Sequence, residues 1–452
     1  MAAARRVTAT ALGIVLAAQA VLFAWLLRYD SLSHVHHAQW LIEATAPLWV
    51  LAVLLLARLR PTRRTAGVVV LGAATVFSAI ALTHPPTTSD DDYRYMWDAK
   101  VQLAGIDPYT HTAASPALAR LRTPSLFGGP GDLAHCVHRF PGGCTSINRP
   151  TVHTIYPPVA QGAFDVLRLA SFGGHGNHLP LQLAGALGSL ALGWLLLRRR
   201  PAWAAALWSW SPVVVIEFAN NAHIDWLAAL FVVLALIARG PWRAGALVGA
   251  AIAVKLYPVL VLPSLMRRSW LAAVSAAGLV VLVYVPHLIA AGSAVIGYLP
   301  GYLQEEQYNS GQRLLLLRQV VPHPANTIVA VCIVAVAALW AWLRGPTEHV
   351  ERSAVVVVGL ALVVFTPTFG WYAGILLALV ALSGAVEWLP IVLAPGLCYL
   401  VHTHHSVAIY LWATIITIAI AAVRHLDSLR SCLRSISPTT DPSRSSLSTP
   451  RR

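Results

Sequence analysis

Ala66-Gly-Val-Val-Val-Leu-Gly-Ala-Ala-Thr-Val-Phe-Ser-Ala-Ile-Ala-Leu-Thr83 is followed, six residues on, by Ser89-Asp-Asp-Asp-Tyr-Arg-Tyr-Met-Trp-Asp98. The first stretch carries no charge and approaches the roughly 20 residues that a bilayer-spanning helix needs. Three consecutive acids, Asp90, Asp91 and Asp92, then stand where such a helix leaves the bilayer. Ionisable groups at such a place are costly and usually functional.

Similar apolar runs recur along all 452 residues, of which 57% are hydrophobic and 11% charged. Soluble domains carry roughly 25% charged residues, and the mean hydropathy of +0.65 points the same way. The ten-residue alternating strands of a membrane barrel are absent. The fold class predicted is therefore an all-α, polytopic integral membrane bundle.

Helices are expected near 7–27, 40–58, 66–83, 179–197, 202–218, 224–238, 269–287, 325–343, 354–369, 371–384, 388–401 and 406–423. That makes about twelve crossings, at about 20 residues each. No cleavage site follows 7–27, so this run reads as a retained helix. Residues 244–266 are flanked by Arg239 and Arg243 and by Arg267 and Arg268, and Val254-Lys255-Leu256-Tyr257-Pro258 interrupts them. This pattern suits a broken half-span that enters and returns, which is tolerated where it lines a protein cavity.

Arginine clusters at Arg5 and Arg6, Arg58 to Arg64, Arg198 to Arg200, Arg267 and Arg268, and Arg424 and Arg430 mark short cytoplasmic loops. Both termini are then cytoplasmic, and segments 85–178 and 288–324 face the extracytoplasmic side. The apolar stretch 159–170 is too short and interrupted for a crossing and is expected at the interface. Residues 1–426 form the transmembrane domain, and the Ser-, Pro- and Arg-rich residues 427–452 read as a disordered tail. The net charge of +14 resides in these loops, which argues against nucleic acid as a partner.

Cys332 and Cys398 lie in apolar runs and Cys432 in the tail. Cys136 and Cys144 in the long loop suit a disulfide. A zinc site with His135 and His138 is the alternative, but it lacks the usual paired-cysteine spacing.

The acids allow several readings. One of them could take a proton from a hydroxyl of a lipid-anchored substrate. Ser89 or Asp90 could instead cap a helix starting at Tyr93, and a divalent-cation site is a third reading. His223 and Asp225 open an apolar run, either as a satisfied polar pair or as phosphate ligands. Lys255, with Lys100 one of two lysines, lies within an apolar stretch. Burying it costs roughly 3 kcal/mol. An anionic lipid phosphate could offset that cost, and so could an ion pair with Glu217 or Asp225. Arg313 and Arg318 stand in a polar loop, Trp371 and Tyr372 start an apolar run, and His402, His404 and His405 cluster near the last hairpin.

The order Asp91-x-Tyr-Arg-Tyr-x-Trp-Asp98, Ala104-Gly-Ile-Asp-Pro-Tyr109, Thr154-Ile-Tyr-Pro-Pro-x-Ala-Gln161, Asn221-Ala-His-Ile-Asp225, Val254-Lys-Leu-Tyr-Pro258 and Trp371-Tyr372 resembles GT-C glycosyltransferases. It is most similar to family 87 and the polyprenyl-phosphate-mannose-dependent mannosyltransferases of actinobacteria. It covers most of residues 65–400. Ala99 replaces a frequent Gly, and Gly370 stands where relatives often carry His before the Trp-Tyr pair. The Arg- and Ala-rich composition suits a high-GC bacterial source.

The resemblance implies a GT-C-like bundle with a large first exoplasmic loop and Asp91 as catalytic base, with Asp92 as its adjacent rival. It further implies a donor-phosphate and substrate site among Arg94, Asp98, Tyr156, His223, Asp225, Lys255 and Tyr257. Asp98 lies near the same helix face as Asp91 and is placed to orient Arg94 or Lys100. The expected reaction is inverting transfer of a sugar, mannose first and arabinofuranose as the alternative. The donor is a polyprenyl-phosphate sugar, and the acceptor is a cell-envelope glycolipid or glycan on the extracytoplasmic face. No nucleotide-binding glycine loop appears, and no cofactor is expected, with a divalent metal left open. A transporter or flippase of lipid-linked sugars is the alternative from another class. It would carry paired charges inside several spans and an internal repeat.

Overall fold

The computed structural model describes residues 2–28, 35–128, 136–170, 177–399 and 403–436. Every range expected to be helical holds helix: α1 (Ala2–Leu26), α2 (Val35–Leu59), α3 (Arg63–Ala81), α4 (Asp91–Leu103), α5 (Pro158–Leu169), α6 (Leu179–Arg199), α7 (Ala202–Ser209), α8 (Asp225–Ile237), α9 (Pro241–Ile252), α10 (Leu262–Met266), α11 (Leu271–Ala291), α12 (Leu299–Glu305), α13 (Ala325–Leu343), α14 (Val350–Phe365), α15 (Ala373–Ser383), α16 (Leu389–Tyr399) and α17 (Thr403–Ile436). The strands among the described residues are β1 (His138–Phe140) and β2 (Gly143–Thr145).

By length and composition, six helices of the described residues can cross a membrane, or seven if the bent pair at 202–220 is one span. The sequence predicts twelve. The difference lies in breaks: α8, α15 and α16 hold 13, 11 and 11 residues, and at about 1.5 Å per residue none covers a hydrocarbon core of about 30 Å. The segment read as one helix over 202–218 is two pieces. Pro212, which has no N–H, follows α7, and Val213–Asn220 resumes as a wide π-turn inclined at 50°. At the other end, α17 continues ten residues past the boundary expected for a disordered tail. Residues 437–452 lie outside the described residues, as do His135, His402 and the side chain of His404.

All eleven residues of α15 are buried, and the helix packs against α7, α8, α14 and α16. Around this apolar centre, α9 crosses α11 at close range because Gly249 has no side chain. A Cβ there would stand 2.8 Å from the Ala276 carbonyl oxygen.

Segment 244–266 is broken, as its sequence suggests: α9 ends at Ile252, and a 3₁₀ turn, Tyr257–Val261, precedes α10. The carbonyl freed at Ala253 accepts from the N–H groups of Val159 and Ala160, at 2.9 and 3.3 Å, in the first turn of α5. One helix start thus satisfies one helix break. Above α4 and α5, the β1–β2 ribbon pairs His138 with Thr145, and a Cys136–Cys144 disulfide closes it. The zinc alternative for these cysteines therefore falls away.

Candidate active site

Helix α4 starts at Asp91, two residues before the expected Tyr93, and Asp90 at its N-cap position makes no capping bond with its side chain. Successive helical residues point about 100° apart, so the three acids fan out. Asp90 turns to the ribbon: its Oδ2 lies 2.5 Å from His138 Nε2, and its Oδ1 accepts from Asn148 at 3.0 Å. Asp92 turns inward, wholly buried against His178 Nδ1. Burial pushes its carboxyl up from the usual value, against the lowering effect of His178. Asp91 alone of the pair proposed for catalysis faces open space.

That space is a cavity of about 300 Å³, bordered by the first turn of α4, the 148–157 loop, the break at Lys255, α12, the turn at Phe369–Tyr372 and Tyr399. The Asp91 carboxylate accepts from Asn148 Nδ2 at 2.6 Å and from the Tyr156 hydroxyl at 3.0 Å. Neutral donors thus fix both oxygens while leaving a lone pair for a substrate proton. The Asn148 turn is held by Arg149, whose φ of +46° lies in the left-handed region and whose guanidinium grips Glu305 at 2.6 to 2.9 Å.

Arg94 lines the cavity and braces the loop opposite. It donates to the Val152 and Arg149 carbonyls at 2.9 and 3.3 Å, and its Nε lies 3.2 Å from Asp98. Asp98 is buried behind it, accepting from Thr154 at 2.5 Å and Gln161 at 3.1 Å. Burial raises its carboxyl above the usual value, although Arg94 opposes the shift. Asp98 thus sits beside Arg94 and does not border the cavity, which departs from its expected place among the substrate-binding residues.

Lys255 reaches the cavity and also makes an ion pair: its Nζ lies 2.9 Å from Asp225 and 5.5 Å from the centre of the Tyr156 ring. Its ammonium has three donors, of which Asp225 takes one. Asp225 and His223 are wholly buried and do not border the cavity. This departs from their expected role as ligands: Asp225 opens α8, His223 lies in the turn just before it, and both bond to protein groups instead. Tyr257 borders the cavity with its hydroxyl 3.4 Å from Asp225. Arg313 and Arg318 bond to Glu306 and Thr368 and to Gln312, away from it.

Sequence reasoning missed Asn148, Tyr298, Phe369 and Tyr399 as wall residues, whereas Tyr302 opens the polar loop, 302–318, that also holds Arg313 and Arg318. This wall offers ring faces with hydroxyl tips, and Tyr302 and Tyr372 are joined at 2.7 Å. The site can therefore take a proton at Asp91, hold an anion near Lys255 and Arg94, and stack a polar ring-shaped group.

Residues 154–367, a little under half of the chain, match the model of Glycosyltransferase family 87. The matched stretch holds Tyr156, His223, Asp225, Lys255 and Tyr257 and does not include Asp91, Arg94 or Asp98. No curated protein and no solved structure matches the chain.

Proposed function

We propose that this chain is an inverting membrane glycosyltransferase that moves a sugar, mannose in the first instance, from a polyprenyl-phosphate donor to an envelope glycolipid or glycan on the extracytoplasmic face. The similarity of residues 154–367 to family 87 supports glycosyl transfer. The observation that carries the assignment of the base is the fan of acids, in which Asp91 opens onto the cavity while Asp92 is buried against His178.

In this reading the acceptor hydroxyl gives its proton to Asp91 as its oxygen attacks the anomeric carbon. The bond from that carbon to the phosphate oxygen breaks, and the phosphate leaves with the electron pair. Lys255 and Arg94 stand on the cavity wall where that charge collects. Inversion follows from attack on the face opposite the leaving group.

The test is to incubate purified protein with polyprenyl-phosphate mannose and candidate envelope lipids and to follow product by mass spectrometry. Asp91→Asn should abolish product while Asp92→Asn retains it; the reverse pattern moves the base by one residue. No transfer from any polyprenyl-phosphate sugar, arabinofuranose included, would sink the reading. Sidedness is tested separately. A cysteine at exposed Ala119 should react with an impermeant reagent in intact cells, and one at exposed Thr65 should not.

A further inference from the structure

We propose that His223 and Glu217 form a buried ionic strut behind Asp91 that keeps its carboxylate turned into the cavity, so that His223 is a positioning residue and not a donor ligand. The proposal rests on the reading of Asp91 as the base.

Both ring nitrogens of His223 are occupied by protein. Its Nδ1 lies 3.2 Å from Glu217 Oε2 and also donates to the Glu217 main-chain carbonyl at 3.2 Å. Its Nε2 lies 3.0 Å from Ser89 Oγ and 3.7 Å from Asp91 Oδ2. Ser89 Oγ in turn accepts the Asp91 N–H at 3.2 Å. The imidazole packs on Trp371 with ring centres 4.0 Å apart, and Trp371 borders the cavity from the other side.

The charged groups that face the ring are Asp91 on α4, Glu217 on the π-turn and Asp225 on α8, all carboxylates. Burial alone would keep the ring neutral, but the Glu217 bond and the three negative charges outweigh it and raise its pKa. A charged imidazole answers the buried Glu217 carboxylate, which alone would be costly, and places a positive charge 3.7 Å from Asp91 Oδ2.

The backbone is shaped for this contact. Ala222 has a φ of +59°, in the left-handed region that a residue with a side chain adopts only at a cost. The turn brings the His223 N–H to the Glu217 carbonyl at 2.9 Å. Glu217 is clamped as well. Asn221 Nδ2 donates to it at 3.1 Å, and the Asn221 side-chain oxygen accepts from the Thr87 and Thr88 N–H groups just ahead of the acids. On its far side, the position where a Gly370 Cβ would sit is filled by Glu217 Oε1.

The first test needs no activity. In ¹⁵N-histidine-labelled protein in detergent, the imidazole signal lost in His223→Gln should show both nitrogens still protonated above pH 6.5, and Glu217→Gln should return that signal to the neutral form. A neutral ring in the wild type overturns the proposal. The second test reads turnover in Glu217→Gln, His223→Gln and Gly370→Ala, the last keeping both charges and displacing Glu217. Each should lose about tenfold in kcat, as expected for a lost charged hydrogen bond, with the donor KM unchanged. The Glu217→Gln/His223→Gln double variant should be no worse than the worse single variant. Additive losses, or a raised KM at full kcat, overturn it. A wild type inactive on every polyprenyl-phosphate sugar would end the functional reading while the NMR result still decides the strut.

Discussion

The cavity beside Asp91 measures about 300 Å³, whereas the groove between α2, α7, α16 and α17 measures about 1190 Å³. The groove is walled by Leu389, Leu393, Leu397, Ile409, Trp412 and Ile416, with charge-bearing side chains at Arg424 and His405. The smaller cavity gathers Asp91, Arg94, Asn148, Arg149 and Lys255. The difference follows from how each is built. Regular helices present one repeating face to a neighbour, which gives an apolar wall. Converging polar groups needs places where the chain stops repeating, and the Asp91 cavity is made of them: a helix start, a loop turn, a helix break and the Phe369–Tyr372 turn.

Substitutions can break that comparison. The largest effect is expected from Asp91→Asn, which keeps the side-chain size and one acceptor oxygen and removes the proton acceptor. Turnover should fall about 100-fold or more, with the melting temperature of purified protein unchanged. Lys255→Met comes next. It removes the cation from the cavity and leaves the buried Asp225 without its charged partner, so the donor KM should rise about tenfold and the protein should melt earlier. Lys255→Met/Asp225→Asn should recover the melting temperature and not the KM. Recovery of both would make Lys255 purely structural.

Tyr156→Phe removes one hydrogen bond from the Asp91 carboxylate, for which about tenfold in kcat is expected. In the groove, Ile416→Ala should leave steady-state turnover within about twofold, as for a surface change away from any such feature. A loss equal to that of Tyr156→Phe would erase the distinction between the two regions.

The smallest effect concerns pH. Burial works against a charged His178, but its bond to Asp92 outweighs this and raises its pKa from 6.5. The stability it contributes is therefore complete below pH 6.5 and is lost as pH rises through the raised value. Melting curves should decline over that window in the wild type, and Asp92→Asn should flatten the decline.

Much of this was legible in the chain. The switch from an uncharged run to Asp90-Asp91-Asp92 located the site, and Lys255 within apolar residues marked the broken segment. Spacing alone left Asp91 and Asp92 open, because which of them borders the cavity depends on His178, 86 residues from Asp92 in sequence. The chain offered Glu217 or Asp225 as ion-pair partners of Lys255, but spacing did not choose Asp225, 30 residues away. Asn148 lies in a loop without periodicity, so nothing local distinguishes it from solvated polar residues. Helical segments were readable from apolarity, but their lengths depend on prolines and turns such as Pro212, and with them the number of crossings.

The Ala253 carbonyl, shared by the N–H groups of Val159 and Ala160, yokes the two sides of the cavity. Lys255 lies two residues beyond that carbonyl, and Tyr156 lies three residues before Val159. Any movement of Lys255 toward the cavity therefore loads the start of α5, and with it the backbone that carries Tyr156 and the hydroxyl bonded to Asp91.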